Sequence, residues 1–193
     1  MMSLLCESFP KTVIADGQEF AIFTDFREWL RFYDMFTDPE LKDAEKVALC
    51  GAWLEPEPVC VTKGILDAVF SFFRADALFP GKEPSDSEDQ EQEMPKPPVF
   101  DWKIDAAYLL GDFRRFYGID LLTARMHWWE FRALAASLPD ESHCAKRISY
   151  RSANLGEIKD KNERKRIARI QRQIALPFTY TDEMIGAALW NTE

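Results

Sequence analysis

Hydrophobic and polar positions near the start of the chain have the short period of β-strands. Residues 12–15 and 18–23 contain two strand-like runs, which flank the dipeptide Asp16-Gly17. Aspartate and glycine tolerate the positive φ angles of a tight two-residue turn, so the pattern predicts an N-terminal β-hairpin. Because a lone hairpin is marginal in water, we expect it to pack on helices or to pair with another strand, including one from a second copy.

Most of the remaining chain has the helical period. The pattern predicts helices from Thr24 to about Phe36 and from Thr62 to about Ala75. Their predicted apolar stripes are Phe26, Trp29, Leu30, Tyr33 and Phe36 in the first helix, and Ile65, Leu66, Val69, Phe70 and Phe73 in the second.

Further helices are predicted in the second half of the chain. They cover residues 106–117, with Gly118 as the terminator, residues 123–138, residues 143–150, and residues 162–175 before Pro177.

An abrupt change of composition separates the two helical halves. Residues 83–93 contain six acids and no base, and five prolines occur between residues 80 and 98. Without apolar periodicity, such a segment cannot offset the entropy lost on ordering. We therefore predict a mainly α protein: a multi-helix bundle with a short N-terminal β-hairpin and a disordered acidic loop. The hairpin and first helices occupy residues 1–79, the acidic proline-rich loop residues 80–99, and a C-terminal helical part residues 100–193, which shares one core with residues 1–79.

Composition narrows the class of protein. The chain has 193 residues, 47% of them hydrophobic, which is enough for a buried core. No apolar run of about 18 residues is present, so no membrane span is predicted. Acidic Glu7 occupies the place of a signal peptide's basic flank, which favours a cytosolic protein. The four cysteines are far apart and predict buried, reduced thiols: Cys6, Cys50, Cys60 and Cys144.

Charge is segregated along the chain. The formal net charge is −9, yet residues 146–173 carry ten Lys or Arg and only three acids. This asymmetry favours head-to-tail association or an acidic partner at least as readily as DNA. The basic segment of residues 159–172 would present a patch that binds phosphates or an acidic protein, or that is simply the solvated side of an amphipathic helix. The patch consists of Lys161, Arg164, Lys165, Arg169 and Arg172.

Residues suited to catalysis are scarce. The chain has only His127 and His143, and we predict that His127 is a packed or hydrogen-bonded residue. Four aspartates are unevenly spaced, so capping and solvation explain them better than an acid/base pair or a magnesium site. We predict no enzymatic activity, no metal and no cofactor. The aspartates are Asp101, Asp105, Asp112 and Asp120.

Tryptophans are the candidate partner-binding residues. Adjacent residues of one helix point in different directions, so Trp128 and Trp129 are not expected to enter one core together. We predict that one of them lies at a groove or interface, with Trp190 as a further anchor. The alternative is that both tryptophans pack between different helices.

Several short motifs of the sequence resemble those of one known family. They include Phe100-Asp101-Trp102, Tyr117-Gly118-Ile119-Asp120, His127-Trp128-Trp129-Glu130-Phe131 and, near the start, Thr24-Asp25-Phe26-Arg27. Together they resemble the bacteriophage "gene product fifteen" family over nearly the whole chain. The His-Trp-Trp word and the Tyr-Gly-Ile-Asp word before it are the most specific part of the resemblance.

The resemblance implies a function in phage morphogenesis. Members of the family look like products of the tail-morphogenesis region of phages with long non-contractile tails. This implies a non-enzymatic tail-assembly protein, such as a chaperone-like binder of the tape-measure protein or of other tail proteins. It would act in the cytoplasm of the bacterial host, and a second copy of the chain is a further candidate partner. The alternatives are a minor virion component and a nucleic-acid-binding accessory protein that uses residues 159–172.

Overall fold

The structure is a computed structural model that describes residues 8–79 and 97–177. The described chain is mainly α, as predicted, with a small sheet near its start. The predicted acidic loop lies mostly outside the described residues, and the bundle arrangement stays a prediction. A 3₁₀ helix covers Cys50–Trp53. The strands and α-helices are β1 (Thr12–Ala15), β2 (Gln18–Ile22), α1 (Phe26–Phe36), α2 (Asp43–Leu49), β3 (Leu54–Glu55), α3 (Lys63–Arg74), α4 (Ala106–Tyr117), α5 (Trp128–Ala136), α6 (His143–Ser152) and α7 (Lys161–Ile174).

The chain forms two compact units. The described part of the first unit contains residues 8–79 and 118–137, and therefore holds the sheet, α1 to α3 and α5. The described part of the second unit contains residues 97–117 and 138–177, with α4, α6 and α7. The sequence pattern predicted one core for residues 1–79 and 100–193, without separating α5 from α4, α6 and α7. The predicted division at residues 80–99 stays a prediction.

The predicted hairpin is confirmed. Strands β1 and β2 pair antiparallel, and Asp16 and Gly17 both have positive φ, 51° and 78°. The short strand β3, which the sequence pattern did not predict, pairs antiparallel with β2. One face of this sheet buries Phe20, Ile22 and Leu54. The hairpin therefore finds a third strand within its own chain.

Helix α1 buries only part of the predicted stripe: Phe26 and Trp29 are buried as predicted, but Phe32 takes the place of the later residues. Its buried residues are Phe26, Trp29 and Phe32, whereas Phe36 is 40% exposed. The ring of Phe32 lies 5.1 Å from that of Phe73, and Phe32 is completely buried. Packing against α3 thus selects the i, i+3, i+6 row of α1. In α3 itself the buried residues are Ile65, Val69 and Phe72.

Helix boundaries follow the local caps. Asp25, one residue after the predicted Thr24, caps α1 by accepting a hydrogen bond from the Arg27 N–H at 2.9 Å. The predicted start of a helix at Thr123 is wrong, because α5 begins at Trp128 with His127 as its N-cap. Gly118 follows α4 with a φ of 69°, and this left-handed geometry confirms the predicted terminator.

Candidate functional site

The adjacent tryptophans are core residues of the first unit. Trp128 is completely buried and Trp129 is 6% exposed, so the expectation that one of them lies at an open groove is wrong. Their indole N–H groups donate to consecutive carbonyl oxygens of α3, those of Phe73 at 2.8 Å and Phe72 at 2.9 Å. That Trp128 and Trp129 bind a partner protein stays a prediction, and the burial of both side chains does not favour it. Trp190 lies outside the described residues.

Consecutive rings of α5 pack on consecutive rings of α3. The ring centroids of Trp128 and Phe73 are 5.5 Å apart, and those of Trp129 and Phe72 are 5.3 Å apart. Each indole therefore occupies its own sector of a single core, although the two side chains leave the helix in different directions. The sequence pattern of α5 alone could not show that a second helix, α3, offers a ring to each of the two indoles.

His127 has a structural role at the start of α5. Its Nδ1 accepts a hydrogen bond from the backbone N–H of Trp129 at 3.0 Å, so its Nε2 carries the proton and donates to the carbonyl oxygen of Pro10 at 2.9 Å. Burial lowers the pKa of His127 below 6.5, although the bond to Pro10 acts in the opposite direction. The side chain is thus packed and hydrogen-bonded, as predicted.

Asp105 is a buried anion rather than a solvated one, which corrects the prediction for this residue. The side chain is inaccessible to solvent and lies between two arginines of α6. Arg147 Nε donates to Asp105 Oδ1 at 2.8 Å, and Arg151 donates to both carboxylate oxygens, at 2.5 and 2.9 Å. Burial raises the pKa of Asp105, but the hydrogen bonds from Arg151 and Arg147 outweigh it and hold the pKa below 3.8.

Arg151 also connects this anion to α7. Its Nε donates to the carbonyl oxygen of Ile174 at 2.7 Å, and its Nη1 donates to that of Val99 at 2.9 Å. Gln171 Nε2 donates to the carbonyl oxygens of Tyr150 and Ala153 at 2.9 and 2.8 Å. The C-terminal half of α7 is therefore attached to α6 by polar contacts.

Asp112 is also buried, and it caps a helix from a distance in sequence. Its two carboxylate oxygens accept hydrogen bonds from the backbone N–H groups of His143 at 3.0 Å and Cys144 at 2.8 Å. These groups belong to the first turn of α6, whose unpaired donors and positive dipole end favour an anion. Capping is therefore confirmed for Asp112, whereas solvation is wrong.

Five exposed cations lie along one side of α7, and we call them the basic face. At about 100° per residue they fall within an arc of about 140°, and they extend about 16 Å along the helix axis. The opposite side carries the half-buried Ile167, Ile170 and Ile174. The basic face consists of Lys161, Arg164, Lys165, Arg169 and Arg172.

No carboxylate in the described chain forms an ion pair with the basic face. The nearest acid along the helix, Glu163, pairs instead with Arg166 at 2.7 Å. Asp160 is occupied as the N-cap of α7, where it accepts a hydrogen bond from the Glu163 N–H at 2.6 Å. The structure thus brings together all five cations predicted for the patch and leaves them available to an anionic surface.

The described cysteines include both buried and exposed thiols. Cys50 and Cys144 are buried as predicted, but Cys60 is exposed, so the prediction is wrong for that thiol; Cys6 lies outside the described residues. Over residues 8–79 and 97–177, no group of three or more His, Cys, Asp or Glu side chains could hold a metal ion. Within the same ranges no helix is long and apolar enough to cross a membrane.

Comparison with protein-family profiles gives a match over most of the chain. The profile of a family described as Bacteriophage Gp15 protein matches residues 5–176, which include described parts of both units. No curated protein matches the chain, and no solved structure matches it.

Proposed function

This chain belongs to the bacteriophage Gp15 protein family, which confirms the predicted resemblance, and we propose that it is a non-enzymatic tail-assembly protein that works by binding other phage proteins. The phage connection follows from the family. The role in tail assembly is part of the proposal, and it is supported by the likeness of family members to products of the tail-morphogenesis region of phages. The tape-measure protein is the partner that this role favours most.

The basic face of α7 is the observation that carries this proposal. A chain with a net charge of −9 displays five cations on one helix side without an acid among them. Solvation alone requires no such segregation, whereas binding to an anionic surface does. The contacts of Arg151 and Gln171 hold the C-terminal half of the helix in place, so the row of cations is presented on a fixed support.

In this proposal the protein contacts its partner through charged side chains rather than by inserting aromatic rings. The two indoles expected at a groove are buried, so they offer little surface to a partner. A chaperone-like role would therefore use the basic face to hold an acidic stretch of a tail protein during assembly in the host cytoplasm. The same surface would serve a minor virion component, and detection of the protein in purified particles would separate these two roles.

Nucleic-acid binding is the second candidate, because phosphates also fit a row of five cations. Two features make it weaker. No aromatic side chain for base stacking occurs between residues 154 and 174, and the overall charge of the chain repels polyanions.

Capture of tail proteins tests the proposal. The tagged chain is co-expressed with the tape-measure and tail-tube proteins of the same phage, and bound proteins are identified by mass spectrometry. We expect the tape-measure protein to be captured. The triple variant Lys165→Glu, Arg169→Glu and Arg172→Glu is expected to lose it.

A control with the same change in net charge accompanies this variant. It carries Lys11→Glu, Lys42→Glu and Arg115→Glu, three exposed positions outside α7, and it should retain the partner. Equal loss in both variants would contradict a specific role for α7. Binding of duplex DNA that falls steeply with salt, without capture of any tail protein, would instead favour the second candidate.

A further inference from the structure

We propose that a groove in the first unit is a binding site for a single lysine or arginine side chain of a partner protein. The groove has a volume of about 480 Å³ and lies between the hairpin turn and the loop of residues 56–62. We call it the acidic groove. It is remote in sequence from α7 and opposite in charge, so this proposal does not depend on the function proposed above.

The two walls of the acidic groove are held in place. On one side, Thr62 Oγ1 donates a hydrogen bond to Asp16 Oδ2, which fixes the hairpin turn to the start of α3. A side chain at Gly64 would place its Cβ 2.2 Å from Asp16 Oδ1, so the glycine permits this approach. On the other side, a Cβ at Gly51 would lie 3.1 Å from Pro58. These close approaches support a groove whose two sides are held in place before a ligand binds.

The floor and the rim of the groove differ in chemistry. The floor consists of the buried side chains of Ala15, Phe20 and Ile65. At the rim, Val59 is fully exposed and offers apolar surface to a ligand without being used by the fold. A ligand with an apolar portion would cover both the floor and Val59.

The charge of the lining selects a cation. Asp16 and Glu57 are the two charged side chains among the lining residues, and both are acids. Asp16 has one oxygen bonded to Thr62, but a carboxylate has about four acceptor positions, so it can accept further hydrogen bonds. A lysine or arginine combines the two requirements, because its aliphatic stem packs on apolar surface while its charged end reaches the carboxylates.

Titration with short peptides tests this assignment in the full chain. The ¹⁵N-labelled protein is titrated with the end-capped peptide acetyl-Leu-Arg-Leu-amide, and the amide chemical shifts of Gln18, Val59, Cys60 and Thr62 are followed. We expect saturable shifts at these four amides. The peptides with Gln or Glu in place of Arg should bind at least tenfold more weakly.

Two variants with the same change in charge locate the site. Glu57→Lys should weaken binding of the Arg peptide at least tenfold, and Glu57→Gln should do so to a smaller extent. Glu19→Lys changes a side chain on the opposite face of β2 from Phe20, so it should leave binding within twofold. The dispersion of the amide spectrum shows that each variant is folded.

Three outcomes would overturn the assignment. The first is the absence of saturable shifts at millimolar peptide, and the second is an equal loss of affinity in Glu57→Lys and Glu19→Lys. The third is that the same amides shift when the protein alone is concentrated and stop doing so in the triple variant of the basic face. In that case a second copy, and not a different partner protein, supplies the cation.

Discussion

The first unit buries large rings at its centre, whereas the second unit buries two carboxylates. Trp29, Phe32 and Trp128 have no solvent exposure in the first unit, and Asp105 and Asp112 have none in the second. Rings stabilise a core through the apolar area that they remove from water, which does not depend on pH. A buried carboxylate stabilises a structure only while it is ionised and its partners are in place.

The two kinds of core support the two candidate binding surfaces differently. Arg151 joins Asp105 to the carbonyl oxygens of Val99 and Ile174, so one ionic cluster fixes three segments of the second unit, including the end of α7. The basic face is therefore supported by contacts that acid or a single substitution removes. The acidic groove is built on the unit whose core is mainly aromatic and depends much less on such contacts.

Removing the buried anion should have the largest effect on stability. Asp105→Ala leaves Arg147 and Arg151 without their carboxylate in a buried site, and we expect the free energy of unfolding to fall by about 3–5 kcal/mol. Urea denaturation followed by circular dichroism measures this change. Glu163→Ala, which removes an exposed partner of Arg166, is the control and should leave the unfolding midpoint unchanged.

Acid should reproduce part of this effect in the unsubstituted protein. Because the pKa of Asp105 is below 3.8 in the folded chain, its ionisation contributes stability that is fully present well above pH 3.8. That contribution is lost as the pH falls through the lowered value. The difference in stability between the protein and Asp105→Ala should therefore shrink below about pH 4; a constant difference would show that the cluster does not act through charge.

Removing a core ring of the first unit should lower the free energy of unfolding by an amount that does not depend on pH. Phe32→Ala empties a completely buried site between α1 and α3, and we expect about 3 kcal/mol of destabilisation, equal at pH 4 and pH 7. Phe36→Ala on the same helix is the matched control. Since Phe36 is 40% exposed, its removal should cost less than half as much. Equal losses would mean that Phe36, on the predicted stripe, carries as much of the packing as the buried Phe32.

Local features of the fold could be predicted from the sequence, because their causes lie within a few residues. The turn at Asp16-Gly17 needs only two residues with positive φ, and the end of α4 needs only Gly118. Strand β3 has two residues and no local signal, so its pairing with β2 could not be predicted. The choice of Phe32 over Phe36 depends on α3, which is distant in sequence.

In the candidate sites, too, the feature with a local cause could be predicted and the feature assembled from distant segments could not. The basic face follows from spacing within one helix and was predicted, but the acidic groove is assembled from the hairpin, the loop of residues 56–62 and α3. A signal for the buried anions was nevertheless present. Asp105 and Asp112 share the helical stripe of Leu109 and Phe113, and acids in line with an apolar stripe indicate burial with partners.

The cap of α5 gives the first unit a smaller pH dependence of its own. His127→Ala removes the acceptor for the Trp129 N–H, and we expect about 1 kcal/mol of destabilisation at pH 8. Because the folded pKa of His127 is below 6.5, the stability from its neutral ring is lost as the pH falls through that lowered value. The difference from the variant should therefore narrow in acid. A difference that stays constant between pH 8 and pH 5 would contradict a role of the neutral ring in the cap.

Thiol reactivity reports local opening in the two units separately. Burial raises the pKa of Cys50 in the first unit to about 11, and burial together with Asp112 raises that of Cys144 in the second to about 12. At pH 8 iodoacetamide should therefore label the exposed Cys60 rapidly and the other two slowly, as peptide mapping by mass spectrometry measures. Asp105→Ala should accelerate labelling of Cys144 more than that of Cys50, and Phe32→Ala should do the reverse. Equal acceleration of both thiols in each variant would show that the aromatic and the ionic core open together, and the contrast between them would then not extend to their dynamics.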